Sequence, residues 1–215
     1  MGNPFEGWKW PLEVDAPDGD PSDRVFLGQP VVSSEFGPRD RNTYSCGHHL
    51  GVDIDYRWRA GHVTRGPMAS TRMANGKRFG YAMPPAALVY PVGPGEIIKC
   101  GLNSRGYAVA IDHGNTVITW YQHIRAESVS GLIRVGRALL VSDVLGVAGY
   151  DLADAKKSGR EGFNHLHFAW IFKSAKHPAL TKCHDMGKSL GLGFRAIALD
   201  PAVYLAKLEH RSAQP

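Results

Sequence analysis

Cysteine is scarce in this chain. Cys46, Cys100 and Cys183 are the only three among 215 residues, widely separated and odd in number. They form no Cys-x-x-Cys pair, so neither a disulfide framework nor a zinc ribbon is expected. Nothing around Cys46 resembles an oxyanion hole, which makes it a small buried thiol rather than a nucleophile. No apolar run approaches the roughly 20 residues that cross a bilayer, so no transmembrane segment is expected. The N-terminus MGNPFEGWKW lacks the basic start and apolar core of a signal peptide. Glu6 stands where a myristoylation motif beginning at Gly2 wants Ser or Thr. The chain is therefore expected to be made in the cytoplasm as a soluble protein. Charge of one sign is lacking too: 25 basic against 20 acidic side chains give only +5. That bias establishes no nucleic-acid partner, and none is expected, though it suits anionic surroundings such as a cell envelope. Oligomeric state leaves no mark on the sequence.

Glycine and proline are plentiful, at 25 and 14 residues, which favours short strands joined by turns over a helical bundle. Strand patterns follow one another at 88–92, 95–100, 107–113, 115–124, 132–136 and 144–149, a succession that implies a mainly β, antiparallel fold. Residues 1–24, rich in proline and acidic turn residues, read as an N-terminal arm pinned by Trp8 and Trp10. Residues 25–210 read as one domain, of ordinary globular composition, with long loops. One loop is expected at 57–88, where Arg57, Arg59, Arg65, Arg72, Lys77 and Arg78 occur without an acidic residue. The segment 199–210, LDPAVYLAKLEH, reads as a proline-started terminal helix.

The chemistry-bearing residues are histidines. In NHLHFAW, residues 164–170, His165 and His167 share one face of an apolar, β-favouring strand. Such a pair is either two satisfied core histidines or, provided further ligands exist, one imidazole on a metal with the other beside it as acid or base. In GHHLGVDIDY, residues 47–56, His49, Gly51, Asp53 and Asp55 alternate with Leu50, Val52 and Ile54. His49 and Asp53 are thereby candidates for one metal, and Asp55 reads as part of a solvated strand face. In TVITWYQH, Thr119, Tyr121 and His123 alternate with Trp120 and Gln122, making His123 a further candidate. His113, beside Gly114 and Asn115, reads as part of a hairpin turn.

The ordered set His49-x-Gly51-x-Asp53, Tyr121-Gln122-His123 and His165-Leu166-His167-Phe168 resembles the lysostaphin-type zinc endopeptidases that cut peptidoglycan peptides. The resemblance extends to Ser34-Glu35-Phe36-Gly37-Pro38-Arg39, Val89-Tyr90-Pro91, Gly95-Glu96-Ile97, Val135-Gly136, Leu145-Gly146 and Asp200-Pro201-Ala202-Val203-Tyr204-Leu205. It implies an antiparallel sheet forming a groove with zinc at its floor and a short C-terminal helix. It also implies Zn2+ held by His49, Asp53 and His167, with His123 and His165 as unliganded catalytic histidines. Two imidazoles and a carboxylate leave a fourth position for water, whose pKa zinc lowers to about 7. The implied substrate is the peptide part of peptidoglycan. The implied place of action is the cell wall or periplasm, after phage-type release, or a virion. Two departures from the family stand out: the basic segment 57–88 and the charged turn SGREGFN before His165. A non-catalytic binding or activator module, or a virion structural protein with lytic activity, is the alternative.

Overall fold

A computed structural model describes residues 4–14, 24–39, 47–60, 72–74, 77–103, 105–149, 165–174 and 185–212. Among these residues there are sixteen strands. The first eight are β1 (Lys9–Glu13), β2 (Arg24–Ser34), β3 (Gly37–Pro38), β4 (His48–His49), β5 (Val52–Ala60), β6 (Arg72–Ala74), β7 (Lys77–Ala82) and β8 (Leu88–Val89). The rest are β9 (Gly95–Asn103), β10 (Gly106–Asp112), β11 (Val117–Ile124), β12 (Ala138–Leu139), β13 (Gly146–Val147), β14 (Leu166–Lys173), β15 (Ala196–Leu199) and β16 (Glu209–Arg211). Among the described residues two short helices follow β14: α1 (Met186–Ser189) and α2 (Pro201–Leu205). The fold is mainly β and antiparallel, as its composition and strand spacing imply. No helix among the described residues is long and apolar enough to cross a membrane.

The main sheet runs β12-β9-β10-β11-β14-β5-β7-β6, with β15 also on β14 and β2 also on β5. Period-two alternation sorts its side chains. Val52, Ile54, Tyr56, Val109, Ile111, Tyr121, Leu166, Phe168 and Trp170 enter the larger core on one face. Ala108, Ala110, Ile118, Trp120, Ala169 and Ile171 enter a smaller cluster on the other, closed by Met186 of α1 and Ala196 and Ala198 of β15. Burying a side chain such as Phe168, fully enclosed here, contributes about 1.5–3 kcal/mol. The chain ends strap the larger core: β1 pairs in parallel with β16, Trp10 Nε1 donates to the Leu205 carbonyl at 3.0 Å, and Trp8 packs 5.6 Å from Trp170.

Three expectations need correction. Residues 57–88 are not one loop: β5 continues to Ala60, and β6 and β7 add a hairpin with Arg57 opposite Tyr81 and Arg72 opposite Phe79. The backbone explains this. β14 pairs only with Val52–Ile54 of β5, so the same edge from Tyr56 to Arg59 needs another partner, and β7 supplies it while β2 covers the opposite edge. Residues 61–71 and 75–76 lie outside the described residues. Residues 132–136 form turns rather than a strand, because only Ile133 is buried and its N–H bonds the Ser130 carbonyl at 2.9 Å. The terminal helix starts at Pro201, capped by the Asp200 carboxylate on the Ala202 N–H at 2.9 Å, but stops at Leu205 so that β16 can pair with β1.

The β10–β11 hairpin turns at Gly114, Asn115 and Thr116, all with positive φ, as the sequence implies. His113 does more than turn. Its Nδ1–H donates to the Pro94 carbonyl at 2.7 Å and its Nε2 lies 2.7 Å from Thr119 Oγ1. Burial pushes its pKa down to about 4, against smaller opposing effects of the Pro94 bond and Asp112. As pH falls below about 6.5 the unfolded chain binds a proton that the folded chain refuses, so stability drops between pH 6.5 and 4. The loss approaches about 3 kcal/mol, because each tenfold weakening of proton affinity is worth about 1.4 kcal/mol. Urea unfolding across this range should show a shallower pH slope for His113→Gln than for the wild type; equal slopes refute the assignment.

Candidate metal centre

Strand register builds the site. Asp53 of β5 lies opposite His167 of β14, and His167 lies opposite Gln122 of β11, so the three form one row on the face away from the larger core. His49 arrives from a separate ribbon, in which β4 pairs with β3 and Gly37 lies opposite His49. Its Nδ1–H donates to the Glu35 carbonyl at 2.9 Å. A carbonyl only accepts, so in the neutral ring Nε2 is the bare nitrogen. That nitrogen lies 3.0 Å from His167 Nδ1 and 3.2 Å from Asp53 Oδ1, and His167 Nδ1 lies 3.1 Å from the same oxygen.

These spacings fit a metal. Ligands at zinc's bond lengths of about 2.0–2.1 Å, placed tetrahedrally, sit about 3.3 Å apart. His49 Nε2 and Asp53 Oδ1 are moreover two acceptors facing each other at 3.2 Å, an arrangement that a shared cation relieves. Burial opposes the charge on Asp53, but the rings of His165, His167 and His49 around it outweigh that and hold the carboxyl well below the usual range. Burial pushes His167 down, with Asp53 opposing, which favours the neutral ring that a metal needs. Among the described residues, His49, Asp53 and His167 form the group that could hold a metal ion.

Gly51 is explained by what stands over it. A Cβ there would lie 2.6 Å from the Phe168 carbonyl oxygen and 2.8 Å from Cε1 and Nε2 of His167. Gly51→Ala should therefore displace the His167 ring. The expected result is a loss of about 1–3 kcal/mol of stability, as for overpacking generally, together with weaker zinc binding in a competitive chelator titration. Unchanged affinity would show that the ring has room to yield.

His165 and His123 stand beside this group. His165 Nε2 is 3.3 Å from Asp53 Oδ1, and the His123 and His165 rings meet edge to face at 4.7 Å. The simple alternation expected for β11 does not hold at His123. There the β10–β11 register skips from Tyr107–Ile124 to Ala108–Gln122, leaving His123 as the extra residue of a bulge with φ 67°. Strict alternation would send its side chain into the larger core beside Tyr121; the bulge brings it to the metal face instead. Its Nδ1–H donates to the Arg105 carbonyl at 2.7 Å. Burial, helped by the charge of His165, pushes its pKa down to about 3, so the ring is neutral at working pH.

Asp55 is not on a solvated face. It is 7% exposed, accepts a 2.6 Å hydrogen bond from Ser33 Oγ, and keeps Oδ1 buried without a hydrogen-bond partner among the described residues. Burial pushes its pKa up to about 6, with the nearby His165 and Ser33 opposing and Asp53 adding to the rise. Sequence reasoning also missed the two carbonyls that orient His49 and His123. Backbone groups carry no residue signature, although Glu35 lies within a motif already noted. Cys46 and the turn SGREGFN lie outside the described residues, and Cys100 is a free thiol. Next to His49 and His167 opens a cleft of about 440 Å³.

No family model matches the chain. Among solved structures it is similar to a protein assigned as a lytM glycyl-glycine endopeptidase from Ruminococcus gnavus, at 16% identity and TM-score 0.47, over 96% of this chain and 63% of that one. It is similar to a zinc-containing peptidase from Vibrio cholerae at 19% identity and TM-score 0.42, over 75% of this chain and 37% of that one. The SpoIIQ–SpoIIIAH pore-forming complex matches at 14% identity and TM-score 0.43, over 82% of this chain and 84% of that one. Likeness of this degree says nothing of activity, which has to come from the side chains.

Proposed function

We propose that this chain is a zinc-dependent endopeptidase that hydrolyses peptide cross-links or bridges of bacterial peptidoglycan. His49, Asp53 and His167 hold the zinc, and His123 and His165 are the catalytic histidines. Residues 25–210 form the peptidase domain and 1–24 its arm. The observation that supports this most is the convergence of two imidazoles and a carboxylate within 3.0–3.2 Å, flanked by two further imidazoles and opening on a cleft. When bound, zinc supplies a Lewis acid that polarises a carbonyl oxygen and acidifies water.

The chain's own groups do the rest. The Glu35 carbonyl fixes the tautomer of His49, and the Arg105 carbonyl fixes that of His123, presenting Nε2 as the acceptor of a neutral ring. That ring can take a proton from an attacking water while its Nδ1–H stays anchored. His165, held by Asp53, stands 4.7 Å away, ring to ring, so that the pair can stabilise the oxyanion and return a proton to the leaving amine. Peptidoglycan as the substrate rests on the sequence resemblance. Incubating zinc-loaded protein with purified sacculi should release soluble fragments whose mass spectra show new amino and carboxyl ends and intact glycan. Zinc retention without any release would leave a metal-binding module and end the endopeptidase reading.

A further inference from the structure

The cleft beside the metal group has a charge that the proposed reaction does not by itself require. Its floor is the sheet face that carries Lys99, Trp120, Gln122 and His167, where Lys99 lies opposite Ala110 and Ala110 opposite Trp120. Trp120 and Leu50 give it an apolar surface, and α1 with Leu190 walls the far side. The charged residues lining it are Lys99 and Arg105; no carboxylate lines it among the described residues. Neither cation makes an ion pair with a described carboxylate.

Lys99 is held in place by its side chain, and Arg105 by its backbone. Lys99 Nζ donates to the Leu190 carbonyl, which tethers the ammonium to the cleft wall and leaves two N–H groups to donate. Arg105 is exposed, and its own carbonyl is the group that anchors His123. Its guanidinium therefore projects from the residue that positions a catalytic ring. Two cations in a walled cleft focus the field on an anion more strongly than they would on an open surface. Gln122 and Asn103 add amides that suit a peptide backbone.

We propose that this cleft is a carboxylate-binding subsite, and that the substrate is an acidic peptide carrying a free carboxylate next to the cleaved bond. An uncharged bridge such as oligoglycine is thereby disfavoured. The inference rests on the endopeptidase reading for its consequence in turnover, but the binding preference can be measured without turnover. The aliphatic part of the acidic residue lies over Trp120, and the carboxylate accepts from Arg105 and Lys99.

The test uses two peptides that differ only in a carboxylate or a carboxamide at the residue adjoining the scissile bond. Zinc-loaded wild type should cut the carboxylate form with a kcat/KM at least about tenfold higher, the scale of a hydrogen bond to a charged group, and salt should shrink the preference. Arg105→Gln and Lys99→Gln should each lower that ratio, and together bring it near one. Calorimetry on zinc-loaded His123→Ala should show the same preference in binding. Equal cleavage and equal binding of the two peptides overturn the subsite. A binding preference with no cleavage of any peptide or of sacculi supports the subsite and overturns the endopeptidase.

Discussion

His49→Ala and His167→Ala each lose zinc on dialysis and fall to background turnover, whereas His48→Ala keeps its metal. The doublet His48-His49 makes this a test of register. His49 is 4% exposed, with Nδ1 on the Glu35 carbonyl and Nε2 turned to Asp53 and His167. Neighbouring residues on a strand point to opposite sides, so His48 cannot take its place without a slip of the β3–β4 pairing. Removing either imidazole leaves two protein ligands where zinc sites use at least three. The loss of affinity should exceed the roughly 10–100-fold that follows from losing an outer-shell partner. Metal content per chain is the readout, supported by the thermal shift on adding zinc, which should vanish in both ligand variants. Equal zinc in His49→Ala and His48→Ala would show that the cluster does not hold the metal.

His123→Ala keeps stoichiometric zinc and loses on the order of 10²–10⁴-fold in kcat, the usual range for acid–base assistance. The separation of effects follows from position. The His123 ring stands 4.7 Å from that of His165 and 6.1 Å from that of His167, and the histidine nitrogens at 3.1–3.3 Å from Asp53 Oδ1 belong to His49, His165 and His167. Its ring is held by a backbone carbonyl, so truncation leaves the ligands undisturbed. His165→Ala should behave in the same way, although its Nε2 lies 3.3 Å from Asp53 Oδ1. Zinc missing from His165→Ala would make that residue a ligand and redraw the chemistry. Full activity in His123→Ala would remove the bulge from the mechanism altogether.

Much of this was legible in the residues. The β class followed from Gly, Pro and the succession of β-favouring runs, because a strand's alternation is written over four to eight neighbours. The shared face of His165 and His167, and the spacing of His49, Gly51 and Asp53, are equally local. His49, Asp53 and His167 stand together as a group that could hold a metal ion.

What alternation misjudged was decided by partners far away in the chain. His123 reaches the site because β10 supplies one residue fewer than β11 at that point, a property of the pairing that β11's own sequence does not state. Asp55 is buried because β2 lays Val31 opposite it and Ser33 Oγ on its carboxylate. Part of the segment 57–88 is sheet because β14 leaves an edge of β5 unpaired, whatever the charges beyond it. The sequence by itself determined which side chains are candidates for the chemistry and which of them alternate together along a strand, since both are properties of short stretches. Only the tertiary structure decided that Asp53 and His167, 114 residues apart, stand 3.1 Å from each other. The physical reason is that a ladder's register is set by hydrogen bonds between strands, and those bonds are blind to the side chains that they align.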